Sequence, residues 1–252
     1  MSKTKTKPVN DAKSIFVANV KGGVGKSTLS IMLARELATR IPPQNITVID
    51  TDLQRTATEF LTNSNPEINL EFLPVTPAFE NTNISLIQQF IKQNQFRPGH
   101  VVIVDTPAGS SQRLWNLVAE GYAVLIPTTL SNADLLPTEN FIRNMDKVKA
   151  RYGKYHPHLV VCPNKIPFGQ KDYSTMAKRL ANHDVVIGPA IRDLASVRQF
   201  YNGNYKTDTN LNASEDFGRF GDFVNKFVVK GELDKIYHSG KNTLNVVPFQ
   251  KK

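Results

Sequence analysis

Cysteine is almost absent from this 252-residue chain, where Cys162 stands alone. One thiol excludes a disulfide framework and any Cys-rich metal or iron–sulfur site built within a single chain, and it favours a reducing compartment. Long apolar runs are missing too: none approaches the roughly 18 residues that a membrane-spanning helix needs. The opening Met1-Ser2-Lys3-Thr4-Lys5-Thr6-Lys7 is basic, but no apolar core follows it, so it does not read as a secretory signal. A soluble, cytoplasmic protein is the expectation. His156 and His158 flank Pro157 with no carboxylate or thiol at metal-ligand spacing, and they read as ordinary residues leading into a strand. Trp115 reads as packing.

What the chain does have is enough apolar content, 40%, to bury one full core, and a net charge of +9 that is unevenly spread. Residues 14–140 carry 8 Lys/Arg against 11 Asp/Glu, whereas residues 141–206 carry 12 against 4. Within the basic stretch Lys147, Lys149, Arg151 and Lys154 form one cluster, and Lys171, Lys178, Arg179, Arg192 and Arg198 supply others. Such asymmetry points to a polyanionic partner, with nucleic acid ahead of an anionic membrane.

Short apolar runs alternate with segments of helical length. Strands are expected at 14–19, 46–49, 70–75, 101–104, 123–126, 159–162 and 185–187, and helices at 27–40 and about 83–94, 111–119, 132–150 and 171–182. Strands apolar on both faces, separated by helices, imply a doubly wound, mostly parallel sheet covered on both sides. Its chemistry is expected at the C-terminal edge of the strands. The chain then divides into a basic tail (1–13), a single α/β domain with a C-terminal helical appendage (14–236) and a loose tail (237–252). Residues 201–213 read as an exposed loop.

The first strand runs into Asn19-Val20-Lys21-Gly22-Gly23-Val24-Gly25-Lys26-Ser27-Thr28. Gly22, Gly23 and Gly25 let backbone N–H groups approach phosphate oxygens, and the N-terminus of the following helix favours negative charge. Lys26 is placed to reach terminal phosphates and the Ser27 hydroxyl to hold Mg²⁺. Lys21 is a second lysine where the phosphate loop needs only one.

This loop resembles the deviant Walker A ATPases of the ParA/MinD type, whose loop reads K-G-G-x-G-K-[ST]. The likeness extends to Asp50-Thr51-Asp52-Leu53-Gln54, to Val101 through Gly109 and, more weakly, to residues 159–192. It implies a P-loop ATPase that binds ATP with Mg²⁺, and that Lys21 crosses a dimer interface to the nucleotide of the other subunit. It also implies that Asp52 positions the attacking water, that Asp50 belongs to the magnesium shell, and that Asp105 holds Mg²⁺ through water. Lys21, Lys26 and Asp52 are thus the candidate catalytic set, and the magnesium set is Ser27, Asp50 and Asp105. Thr106 to Gly109 would form the second switch. Asn164 matches the residue that reads adenine, and Ile187 to Arg192, with Pro189, the loop beside the base. Helix capping by the aspartates, and a turn-forming Asn164, are the competing readings. Lys165 is followed by Ile166-Pro167, so no N-K-x-D guanine signature is present and ATP is expected over GTP.

Among ParA-like functions, the expected one is a partition or positioning ATPase. By resemblance it would dimerise on ATP, bind double-stranded DNA without sequence preference on the nucleoid, and be stimulated by a ParB-like or other cargo-adaptor protein. The first strand begins near residue 14, which leaves no room in this sequence for an N-terminal helix-turn-helix. A MinD-like membrane regulator would need a basic amphipathic C-terminal helix. The nearest candidate, 217–236, mixes both signs of charge, so packing explains it better and no stable membrane association is expected. A carrier ATPase of the same superfamily would want paired thiols, which one cysteine cannot provide.

Overall fold

The structure is a computed structural model that describes residues 12–109, 111–152, 157–170, 172–193, 211–234 and 245–246. Eight parallel strands form one sheet: β1 (Lys13–Val17), β2 (Ile46–Asp50), β3 (Asn69–Phe72), β4 (Val101–Asp105), β5 (Ala123–Thr128), β6 (His158–Pro163), β7 (Val185–Ile187) and β8 (Asn245–Val246). Their spatial order is β3-β2-β4-β1-β5-β6-β7-β8. The seven expected strands are all present. The eighth pairs with β7 inside the stretch read as a loose tail.

Alternation along the strands divides the core into two layers. Ile15, Val17, Val101, Ile103, Ala123, Leu125, Val160 and Cys162 face one side. Phe16, Val102, Val104, Val124, Ile126, Leu159 and Val161 face the other. Burial on both sides is why the central strands read as continuous apolar runs. The first layer is covered by α1 (Lys26–Ala38), α2 (Thr56–Ser64) and α7 (Leu211–Phe223), the last continuing as a π-helical stretch over Val224–Val229. The second is covered by α3 (Glu80–Asn94), α4 (Gln112–Ala119), α5 (Asn132–Tyr152) and α6 (Ser174–Leu180).

Sequence reasoning missed α2, whose apolar face is only Ala57, Phe60 and Leu61. Leu211–Ala213, read as loop, belong to α7. The C-terminal helical segment packs as expected: Phe217, Phe220, Phe223, Val224 and Val228 are all buried in the first layer. Gly221 permits this closeness, since a Cβ there would lie 2.8 Å from the Glu36 Cβ of α1. Trp115 stacks edge-on against Phe141, centroids 5.5 Å apart. No helix among the described residues is long and apolar enough to cross a membrane.

Candidate nucleotide-binding site

The strand order places β1 between β4 and β5, with the loop Lys21–Gly25 leaving its C-terminal end. Gly23 (φ +76°) and Gly25 (φ +94°) take left-handed conformations that other residues resist. α1 then starts at Lys26, and its N-cap Gly25 offers no side chain to cap it. Gly22 lies against the segment after β4, where a Cβ would stand 3.7 Å from that of Ala108.

The base of the loop is pinned by a buried polar hub. Asn19 Nδ2 donates to Pro127 O and to Thr138 Oγ1, both at 2.9 Å. Its Oδ1 accepts from the Lys21 backbone N at 3.1 Å. Thr138 Oγ1 in turn donates to Thr128 Oγ1 at 3.0 Å. Asn19 fixes the backbone at Lys21 from its place two residues upstream, a role that adjacency to the loop could have suggested and residue type alone did not.

Lys26 is buried, with its Nζ 3.2 Å from Lys21 O. Burial lowers its affinity for the proton, while Asp105 and Asp52 oppose that shift. The Ser27 hydroxyl faces Asp105. Val24 is buried; Thr28 lies in the first turn of α1.

Asp50 and Asp105 end adjacent strands and are register partners. Asp50 uses both oxygens locally: Oδ1 accepts from Asp52 N at 3.2 Å, and Oδ2 from Thr58 N at 2.9 Å and Thr58 Oγ1 at 3.0 Å. It therefore caps the start of α2. Asp52 sits in the connection to α2, its Oδ1 accepting from Gln54 N at 3.0 Å. Asp105 is different. Its Oδ1 accepts from Ser30 Oγ at 2.9 Å, and its buried Oδ2 has no hydrogen-bond partner. Burial pushes this carboxyl up to about 7; Asp50 adds to that, and the Ser27 and Ser30 hydroxyls and Lys26 oppose it. An orphaned buried oxygen beside a serine hydroxyl fits a hard divalent cation held by one carboxylate and substrate phosphate.

Asn164 lies against the loop, its Nδ2 donating to Val24 O at 2.8 Å. The next residue, Lys165, places Nζ 2.7 Å from Gly23 O, a contact that sequence reasoning missed. The segment after β7 reaches the same region: Ile191 N donates to Pro163 O at 2.8 Å, and Pro189 is half-buried in that segment. Three large exposed apolar side chains, Leu53, Leu136 and Phe168, lie in the segments that follow β2, β5 and β6.

The basic candidates divide. Lys147 and Lys178 are exposed. Lys149 pairs with Asp184 at 3.7 Å and Arg179 with Glu139 at 3.3 Å. Arg192 is committed to the fully buried Asp216, its Nε and Nη2 each at 2.8 Å from a carboxylate oxygen. Lys154, Lys171 and Arg198 lie outside the described residues, as does the side chain of Arg151.

Comparison with known proteins identifies the family. Residues 15–228 match the CobQ/CobB/MinD/ParA nucleotide binding domain. A ParA protein of Rhizobium radiobacter is 33% identical over 113 residues, 45% of this chain and 47% of that protein. The chain thus spans about half the length of the curated relative it matches. Cyanothece McdA in complex with ATP superposes with a TM-score of 0.65 at 16% identity, covering 86% of this chain and 96% of that one. MinD of Pyrococcus horikoshii OT3, complexed with Mg-ADP, gives 0.64 at 16% identity over 88% and 99%. A Borrelia burgdorferi plasmid partition protein gives 0.59 at 17% identity over 86% and 99%. With its phosphate loop, its strand-end aspartates and this match over most of its length, the chain belongs to the CobQ/CobB/MinD/ParA family of nucleotide-binding domains.

Proposed function

We propose that this protein is an ATPase that binds Mg·ATP in the loop 21–28, dimerises around it, and holds double-stranded DNA without sequence preference to position a cargo. The observation that carries the nucleotide reading is the paired lysines Lys21 and Lys26 above a sheet edge that also bears Asp50, Asp52 and Asp105. Lys26 and the N-terminus of α1 would hold the phosphates. Ser27 and Asp105 would hold Mg²⁺, which supplies charge neutralisation for phosphoryl transfer to water. Asp52 would orient that water. Asp50, engaged with α2, would transmit the state of the site to the start of that helix. Lys21 would reach the nucleotide of a second subunit. The exposed Leu53, Leu136 and Phe168, in the segments that follow β2, β5 and β6, support a face that a partner subunit covers.

DNA binding rests on the charge excess of residues 141–206. Lysine and arginine contacts to phosphates suffice for binding that ignores sequence. A second copy doubles the phosphates engaged, so ATP would raise DNA affinity. A cargo-adaptor protein of the ParB kind would stimulate hydrolysis and release. The test is a mobility shift on random-sequence duplex with ATP, ADP or no nucleotide, run beside sedimentation with anionic liposomes. An ATP-dependent, salt-sensitive shift is expected. Liposome binding without DNA binding would favour the membrane-regulator reading instead.

A further inference from the structure

Lys165 holds a left-handed backbone conformation, φ +53°, which residues with a side chain avoid. Its neighbours hold it there. Asn164 N donates to Thr128 O at 2.7 Å, and Ile166 N to Ile191 O at 3.0 Å. Asp193 N donates back to Ile166 O at 2.8 Å, and Ile166 bridges Arg192 in parallel. The twist at Lys165 sends two consecutive side chains across the flank of the phosphate loop. Asn164 Nδ2 reaches Val24 O at 2.8 Å, and Lys165 Nζ reaches Gly23 O at 2.7 Å. The passage is tight: a Cβ on Gly25 would meet Asn164 Nδ2 at 2.3 Å and lie 3.9 Å from Lys165 Cε.

Two consecutive carbonyls are therefore held outward by side-chain donors. A trans peptide is planar, with its C=O and the following N–H pointing in opposite directions. Holding Gly23 O outward aims the N–H of Val24 the other way. Holding Val24 O outward does the same for the N–H of Gly25. Left alone, a loop with glycines at 22, 23 and 25 has several peptide orientations open to it, and most of them would not converge two donors on one anion.

We infer that Asn164 and Lys165 form a clasp that orients the Val24 and Gly25 N–H groups toward the phosphates, with Lys165 a positioning residue that need not touch the nucleotide. The inference rests on the nucleotide-binding reading of the loop. It differs from a phosphate contact by Lys165 in a measurable way. A clasp acts on the loop before any ligand arrives and serves diphosphate and triphosphate alike, whereas a contact to the terminal phosphate serves only ATP.

The test uses Lys165→Met, which keeps the aliphatic stem and removes the ammonium, and Lys165→Arg, which keeps a donor. Fluorescent ATP and ADP analogues are titrated against the full chain, and amide exchange at residues 24 and 25 is followed without nucleotide. The Met variant is expected to bind both analogues about tenfold more weakly, the loss of one hydrogen bond from a charged donor. Exchange at the Val24 amide should accelerate about as much and that at Gly25, still held through Asn164, should change less; the melting temperature should be unchanged, and Lys165→Arg should recover most of both affinity and exchange. Loss confined to ATP, or unchanged exchange with unchanged affinity, would overturn the clasp while leaving the nucleotide reading intact. A wild-type chain that binds neither analogue would overturn that reading and this inference with it.

Discussion

Asp50 and Asp105 face one another as register partners across β2 and β4, yet only Asp105 is left with a buried oxygen that nothing in the protein satisfies. Asp50 gives one oxygen to Asp52 N in the connection and the other to Thr58 at the start of α2, and Asp105 gives one to Ser30. Two carboxylates at equivalent strand ends thus have different work. One holds a helix in place, and the other keeps a buried oxygen that suits the cation role proposed for it.

This difference makes an ionised Asp105 costly to bury. Its folded pKa is about 7, against about 4 for an unfolded carboxyl. The folded chain therefore holds this proton more tightly. The stability it contributes is complete below about pH 4 and is lost as pH rises toward 7, by at most about 1.4 kcal/mol per pH unit. Asp105→Asn, which cannot ionise, should melt progressively higher relative to wild type as pH rises from 5 to 8, without nucleotide or metal. The same variant should lose the Mg²⁺ dependence of nucleotide binding. Thermal unfolding across pH, with and without Mg·ATP, checks both halves. A wild-type-minus-variant difference that does not change with pH would contradict the burial argument.

Lys26→Ala should weaken a fluorescent ATP analogue by roughly 100-fold, as expected when a charge-assisted contact is removed from a buried site. The folded state should survive, because the ammonium is itself desolvated and its removal relieves that cost. Retained affinity would mean that the loop does not hold the phosphates.

Lys21 and Asp52 should separate assembly from hydrolysis. Lys21→Ala should bind ATP within a few-fold of wild type yet remain monomeric in sizing experiments. Asp52→Ala should bind ATP, accumulate as a dimer and turn over at least about 100-fold more slowly, in the range seen when a positioned acid–base group is removed. If Lys21→Ala dimerises normally, the second lysine has some other purpose.

Arg192 and the exposed lysines should behave oppositely on DNA. Lys147→Glu with Lys178→Glu should lower DNA affinity and flatten its salt dependence, by about 0.9 in log–log slope for each phosphate that is no longer neutralised. Arg192→Ala should instead lower stability by about 3 kcal/mol, because Asp216 is left buried with less compensation. Its DNA affinity, measured below its own unfolding transition, should change little. Urea titration and mobility shifts on the same preparations distinguish the two.

The fold was largely legible because its central strands are buried on both faces, so Val101 to Val104 or Ala123 to Ile126 read as uninterrupted apolar runs. The helix Thr56–Ser64 was not legible, since three apolar residues in nine give little periodicity and its start is set by a distant carboxylate, Asp50. The phosphate loop declared itself by glycine spacing. Its supports did not. Asn19 acts through Thr138, which lies 119 residues away, and Lys165 reaches Gly23 across 142, so neither carries a local signature. Charge alone also grouped Arg192 with the exposed lysines, because sequence cannot show that Asp216 has already claimed it.

The position of β1 in the sheet bears on how the chain is made. Its flanking strands, β4 and β5, are synthesised roughly ninety residues or more after it, and parallel pairing over such separations is intrinsically slow. While the nascent chain is still short of Val101, the strand that carries the phosphate loop has no neighbour, and Ile15, Phe16 and Val17 are open to solvent or to another chain. In the proposed site, nucleotide binding waits for β4, which brings Asp105 with it. On that reading ATP could act only after β4 has been made, and could not guide the chain's earliest assembly. Production of the protein should therefore respond to slower translation and lower temperature, and truncations that end before β4 should aggregate whatever nucleotide is supplied.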